Sequence, residues 1–159
     1  MSTNLHRPAA VAGMFYPGSA HALANDVAAM LAGVNVAEGA PAKALIVPHA
    51  GYVYSGPVAA SAYACLAPLR KKIRRVILLG PTHRVAVRGL AVSSASAFDT
   101  PLGSVPVDAA LRDAVLKLPQ VRCNDDAHAL EHSLEVQLPF LQSVLDAFTL
   151  LPLAVGQAS

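Results

Sequence analysis

Two short runs of branched aliphatic residues stand out along the chain, Ala44-Leu45-Ile46-Val47 and Val76-Ile77-Leu78-Leu79, and a third spans Phe148 to Val155. Runs of this length with no polar alternation predict strands buried on both faces of a parallel sheet. Between them the period changes to that of a helix. Leu23, Val27, Met30 and Leu31 share one face of a helix over residues 20–33, with Ser19 as N-cap and Gly33 as its stop. A small-residue, alanine-rich helix is predicted from about Val58 to Leu66, and Asp108 caps another that runs to Leu118. A further helix opens near Asp126 or Leu130 and continues through Leu134, Leu138 and Leu141 to Leu145, kinked or shortened by Pro139. Gly89 to Ser94 reads as extended, Ser104 to Val107 as a short strand, and the Pro- and Gly-containing segment from Arg7 to Ser19 as an ordered arm. Strands alternating with helices give an α/β fold, a mostly parallel sheet with helices on both faces in three layers.

Composition narrows this picture. The chain has 159 residues, 54% of them hydrophobic and 14% charged, enough apolar material for one domain with a substantial core. The net charge is only +2, tryptophan is absent, and the single dense basic cluster, residues 70–75, reads as a solvated connection ahead of the Val76 strand. Nucleic acid is therefore not an expected partner. No apolar run reaches the length of a membrane span and no signal-peptide core precedes Arg7, so no membrane association is expected. Cys65 and Cys123 are the only cysteines and form no C-x-x-C pair, which fits a reducing, cytoplasmic setting.

The candidate chemistry lies at the ends of the apolar runs. His49 follows the first and His83 the second. Ligands of parallel sheets gather beyond the carboxyl ends of the strands, so two imidazoles from neighbouring strands can converge on one metal ion or substrate. Each histidine taken alone reads equally well as a hydrogen-bonded loop residue. Tyr52 and Tyr54 offer hydroxyls to a ligand or pack with satisfied tips. His128-Ala129-Leu130-Glu131-His132 matches the inverted zinc-protease pattern, but the alternative is favoured, in which Asp125 and Asp126 form a turn and Glu131 opens a helix. Ser55 and Ser133 lie outside any nucleophile elbow, Cys65 falls in a helix, Cys123 has no evident activating partner, and Gly-rich phosphate loops are missing.

Four segments carry a resemblance. Arg7-Pro8-Ala9-Ala10-Val11-Ala12-Gly13-Met14-Phe15-Tyr16-Pro17, Pro48-His49-Ala50-Gly51-Tyr52-Val53-Tyr54-Ser55-Gly56, Leu79-Gly80-Pro81-Thr82-His83 and Glu131-His132-Ser133-Leu134-Glu135-Val136-Gln137-Leu138-Pro139-Phe140 occur in order. Together they resemble the successive signatures of the Memo-like family, known in bacteria and archaea as AmmeMemoRadiSam system protein B. The resemblance implies a fold similar to that of the LigB-type, class III extradiol dioxygenases. It also implies a non-haem divalent metal site for iron, copper or zinc, with His49 and His83 as ligands and a cysteine from later in the family's chain as the third. Neither Cys65 nor Cys123 matches that cysteine, so the implied ligand set is incomplete here.

In the same reading His132 lies near the pocket as a catalytic proton carrier, and Tyr52, Tyr54, Thr82 and Glu131 face a substrate. The chain is expected to be the N-terminal portion of a single Memo-like domain, incomplete at its C-terminus, with the Phe148–Val155 strand left without its intended neighbours. A metal-dependent redox or dioxygenase-like role follows from the resemblance. The alternatives are a non-catalytic module that binds a peptide or small molecule in the same pocket, and a truncated inactive fragment. Implied partners are AMMECR1-like and radical-SAM proteins.

Overall fold

Strands and helices alternate through the computed structural model, which describes residues 5–36 and 42–157. The order is β1 (His6–Arg7), α1 (Ala20–Ala32), α2 (Tyr52–Ala64), β2 (Arg75–Pro81), β3 (Leu90–Val92), β4 (Ala97–Thr100) and β5 (Gly103–Pro106). There follow α3 (Ala109–Val115), β6 (Val121–Cys123), α4 (Asp126–Ala129), α5 (Leu138–Val144) and β7 (Thr149–Val155). The main sheet has the order β2-β7-β3-β6, and a smaller one the order β1-β4-β5. β2 runs parallel to β7 and β3 to β6, while β3 and β7 are antiparallel.

The side-chain period of β7 builds the layers. Leu150 faces the large core formed with α1, α2 and α5, whereas Leu151 and Leu153 point to the opposite face and pack with Val92, Val121 and the α3 residues Leu111 and Val115. Helices therefore cover both faces of the sheet, the α/β/α arrangement expected from the alternation. Local capping follows the sequence closely at two helices. The Ser19 hydroxyl accepts from the Ala22 N–H at 3.2 Å, and the Asp108 carboxylate accepts from the Leu111 N–H at 3.0 Å. Gly89, at φ +78°, closes the approach of β3 to the preceding loop of β6. An added Cβ there would lie 2.2 Å from the Gln120 carbonyl oxygen.

Four expectations are corrected. Residues 42–50 belong to no strand or helix, and Ile46 is fully exposed; among the described residues no backbone hydrogen bond joins this segment to β2. β7 is central, paired on one side with β2 and on the other with β3, so the edges of the main sheet are β2 and β6. α2 begins at Tyr52, earlier than the alanine pattern suggested. Tyr52, Ser55, Gly56, Ala59, Ala60 and Tyr63 form one buried helical stripe, while Pro57 faces solvent, where water can replace the missing helical hydrogen bond. Finally, the long helix expected from Asp126 to Leu145 is broken. The Glu131 carboxylate accepts from the backbone N–H groups of His132 and Ser133, which withdraws them from helical pairing. Pro139 then sits in the first turn of α5, where its absent N–H costs nothing.

Candidate metal centre

Three chain segments meet at the carboxyl end of β2. His49 lies in the irregular segment before α2, His83 follows β2, and Glu131-His132-Ser133 forms the break between α4 and α5. The third segment clamps the other two. The Ser133 hydroxyl donates to the Pro81 carbonyl at 2.8 Å, and the Gln137 side-chain amide donates to the Pro48 carbonyl at 3.0 Å. Gly80 permits the clamp to close, since a Cβ at that position would lie 2.7 Å from Ser133 Oγ and 2.9 Å from Leu134 Cδ2.

The three imidazoles that result form one cluster. His49, His83 and His132 each offer a ring nitrogen, and these nitrogens all lie within 4.8 Å of one another. His83 and His132 stack with ring centroids 4.5 Å apart, and His49 stands 5.3 Å from His83 and 5.9 Å from His132. No acid or thiol joins the set among the described residues. The sequence singled out His49 and His83 as a pair. The structure adds His132 to them.

Glu131 organises this cluster. Its buried carboxylate accepts from the His83 backbone N–H at 2.6 Å and from the His132 and Ser133 N–H groups at 2.9 and 3.0 Å, and it lies 2.8 Å from His83 Nδ1. Burial raises its pKa, but the His83 ring and the backbone donors outweigh that effect and hold it at about 2. In the neutral imidazole an ionised carboxylate fixes the tautomer of His83, with the proton on Nδ1 and the lone pair on Nε2. Burial also lowers the pKa of His132, with the neighbouring His83, His49 and Arg84 acting in the same direction against Glu131. The neutral imidazole that a metal requires is thereby favoured.

Beside the cluster opens a cavity of about 590 Å³ lined by Met14, Phe15, Pro48, His49, Tyr54 and His132. Phe15 lies 4.6 Å from the His132 ring, centroid to centroid, and its carbonyl accepts from the Tyr52 N–H at 2.7 Å. Phe15 and Met14 come from the N-terminal arm, and sequence reasoning did not single them out. The arm is held from below. Arg7 donates to the carbonyls of His128 and Glu131 and pairs with the fully buried Glu135, which also accepts from Ala10 N, Val11 N and the Tyr16 hydroxyl. The clustering of Arg7 and Glu135 was not legible in the sequence, because the two lie at opposite ends of the chain and only the fold brings them together.

The remaining candidates are dispersed. Tyr52 points into the core, its hydroxyl donating to the Val136 carbonyl at 2.7 Å, whereas Tyr54, two residues on and therefore on another helical face, is 85% exposed at the cavity rim. The Thr82 N–H donates to the Val155 carbonyl at 2.9 Å. His128 is buried away from the cluster, with Nε2 3.0 Å from the Ala91 carbonyl and Nδ1 without a partner. Glu131 faces the imidazoles rather than the cavity. Cys65 and Cys123 are both exposed and lie outside the histidine cluster.

Comparison with known proteins decides the lineage. Residues 7–159 match the family described as Memo-like protein. The chain belongs to that family. It is 43% identical over 153 residues to a MEMO1 family protein of Aquifex aeolicus, a match covering 94% of this chain and 54% of that protein. A MEMO1 family protein of Ignicoccus hospitalis is 41% identical over 162 residues, covering 95% of this chain and 56% of its own length. One from Metallosphaera sedula is 45% identical over 111 residues, with 69% and 39% covered. The Memo-like chain thus spans about half the length of the curated relatives it matches. None of its helices, among the described residues, is long and apolar enough to cross a membrane.

Proposed function

We propose that His49, His83 and His132 hold a divalent metal ion, and that the complete Memo-like protein uses it for redox or dioxygenase-like chemistry on a small molecule held in the adjoining cavity. The observation that carries this reading is the convergence of three imidazole nitrogens within 4.8 Å. Imidazole suits iron, copper and zinc alike. His83 presents Nε2 because Glu131 engages Nδ1, the carboxylate–histidine pairing that orients metal ligands generally. In this reading His132 is the third ligand, in place of a cysteine, instead of a separate proton carrier. A bound ion supplies Lewis acidity or redox capacity at the rim of the cavity. Phe15 packs against His132 and limits its rotation, and with Met14 it presents an apolar wall to the ligand. AMMECR1-like and radical-SAM proteins are the partners proposed for the complete protein.

Titration with Zn²⁺, Fe²⁺ or Cu²⁺, followed by calorimetry, tests the site. One ion bound per chain is expected, and binding is expected to vanish in the His49→Ala, His83→Ala double variant. Unchanged binding in that variant would overturn the assignment. Capture of a peptide or small molecule that persists after chelation and in the double variant would instead support a non-catalytic binding module.

A further inference from the structure

β2 is a seven-residue, mostly apolar strand with β7 on one edge and, among the described residues, no strand on the other. Its outer side chains show that a covering layer is incomplete. Ile77 and Leu79 are in register with Leu151 and Leu153 of β7 and so lie on the same face of the sheet. α3 covers Leu151 and Leu153, but Ile77 and Leu79 are 56% and 58% exposed. A long, apolar, uncovered edge strand is a template for pairing and is rarely left open.

The irregular segment of residues 42–47 shows the same alternation of burial at Leu45, Ile46 and Val47. Leu45 and Val47 pack against the large core, as Val76 and Leu78 of β2 do, while Ile46 is fully exposed and Ile77 and Leu79 are more than half exposed. The carboxyl ends of the two segments meet at the His49–His83 pair. Yet no backbone hydrogen bond joins them among the described residues, and both line a cleft of about 900 Å³. The floor of that cleft includes Tyr63, Leu66, Leu141 and Leu145.

From this we infer that the cleft is a slot for an additional β-strand. The strand inserts between residues 42–47 and β2, pairs with the free edge of β2, and continues the main sheet. Its side chains alternate between the floor of the cleft and the outer face, and both positions are apolar because both faces of the completed sheet are covered. The occupant is polypeptide equivalent to the part of the relatives that this chain does not span. That part is large enough for the role, since the match covers only 54% of the Aquifex protein and 56% of the Ignicoccus protein. The same unit covers Ile46, Ile77 and Leu79 on the face that α3 leaves open. Insertion completes the wall behind His49 and His83, although the inference does not require a metal.

A chimera joining this chain to the part of the Aquifex relative outside the match tests the inference. Amide hydrogen exchange over Arg75–Pro81 and residues 42–47 is expected to slow by about 100-fold or more relative to this chain alone, as for fully paired strands. The Ile77→Asp, Leu79→Asp double variant is expected to leave the chain alone as stable as its parent but to remove that protection in the chimera. A disulfide assay separates insertion from direct closure. With Cys65→Ser and Cys123→Ser in place, an Ile46→Cys, Ile77→Cys pair across an inserted strand is separated by two strand spacings, roughly 9–10 Å, beyond disulfide reach. The pair is therefore expected to stay reduced. Ready oxidation would mean that residues 42–47 zip directly onto β2, and the inference would fall. Fast exchange of the equivalent residues in the intact Aquifex protein, or a dimer of this chain alone with β2 already protected, would overturn it as well.

Discussion

Replacing Glu131 by glutamine tests whether one buried carboxylate sets the geometry of the histidine cluster. The change keeps size and shape but converts one acceptor oxygen into an amide that can only donate. One carboxylate oxygen serves His83 Nδ1, His132 N and Ser133 N at 2.8, 2.9 and 3.0 Å, and the other serves the His83 backbone N–H at 2.6 Å. Whichever way the glutamine turns, at least one N–H donor faces another donor. A buried donor without a partner costs about 1–3 kcal/mol, and the surviving hydrogen bonds lose their charge assistance, so Glu131→Gln is expected to destabilise the fold by about 2–4 kcal/mol. Metal affinity is expected to fall by about 10–100-fold, because His83 is no longer held with Nε2 outward. Urea unfolding measures the first effect, and calorimetric Zn²⁺ titration of the folded variant measures the second. Zn²⁺ affinity within about threefold of the parent's, below the loss expected of an orienting carboxylate, would refute the reasoning.

Three further outcomes follow from the same contacts. Arg7→Met leaves the carboxylate of Glu135 buried without its cation and is expected to cost about 3–5 kcal/mol in urea unfolding, because an uncompensated buried charge remains. Gly80→Ala drives a methyl group against Ser133 and Leu134 and is expected to cost about 1–3 kcal/mol by overpacking, seen as a lower Tm, and to weaken metal binding by displacing His132. Stability is expected to fall with pH in two windows. Burial holds the His128 pKa below its usual 6.5, so the unfolded chain takes up a proton that the folded one refuses, and stability declines as pH drops below 6.5. His128→Gln should flatten that slope in pH-dependent unfolding. Glu131, held at about 2 against a usual 4.5, adds stability that is present above pH 4.5 and is lost as pH falls from there towards 2.

The contrast between two apolar runs separates what was legible in the sequence from what was not. Val76–Leu79 and the run after Phe148 are strands, as their uninterrupted aliphatic pattern implied, and Ser19 and Asp108 cap the helices that follow them. Ala44–Val47 has the same pattern and is not a strand. Composition gives a segment the capacity to pair, but pairing needs a neighbour, and the free edge of β2 is not hydrogen-bonded to it. His49 and His83 were legible as a converging pair because each closes an apolar run, although only the run before His83 is a strand. For His132 and Glu131 the residue pattern favoured a continuous helix, and only the family resemblance placed them near the pocket, as a proton carrier and a substrate contact. The helix breaks because a buried carboxylate takes its backbone N–H groups, and that carboxylate is buried only once β2 and the N-terminal arm have folded against it. The sequence by itself determined the apolar runs, the caps and, through the family resemblance, that His49, His83 and His132 gather near one pocket. Tertiary structure alone decided which runs became strands and that the three imidazoles converge as one cluster, because both depend on groups distant in the chain competing for the same backbone hydrogen bonds.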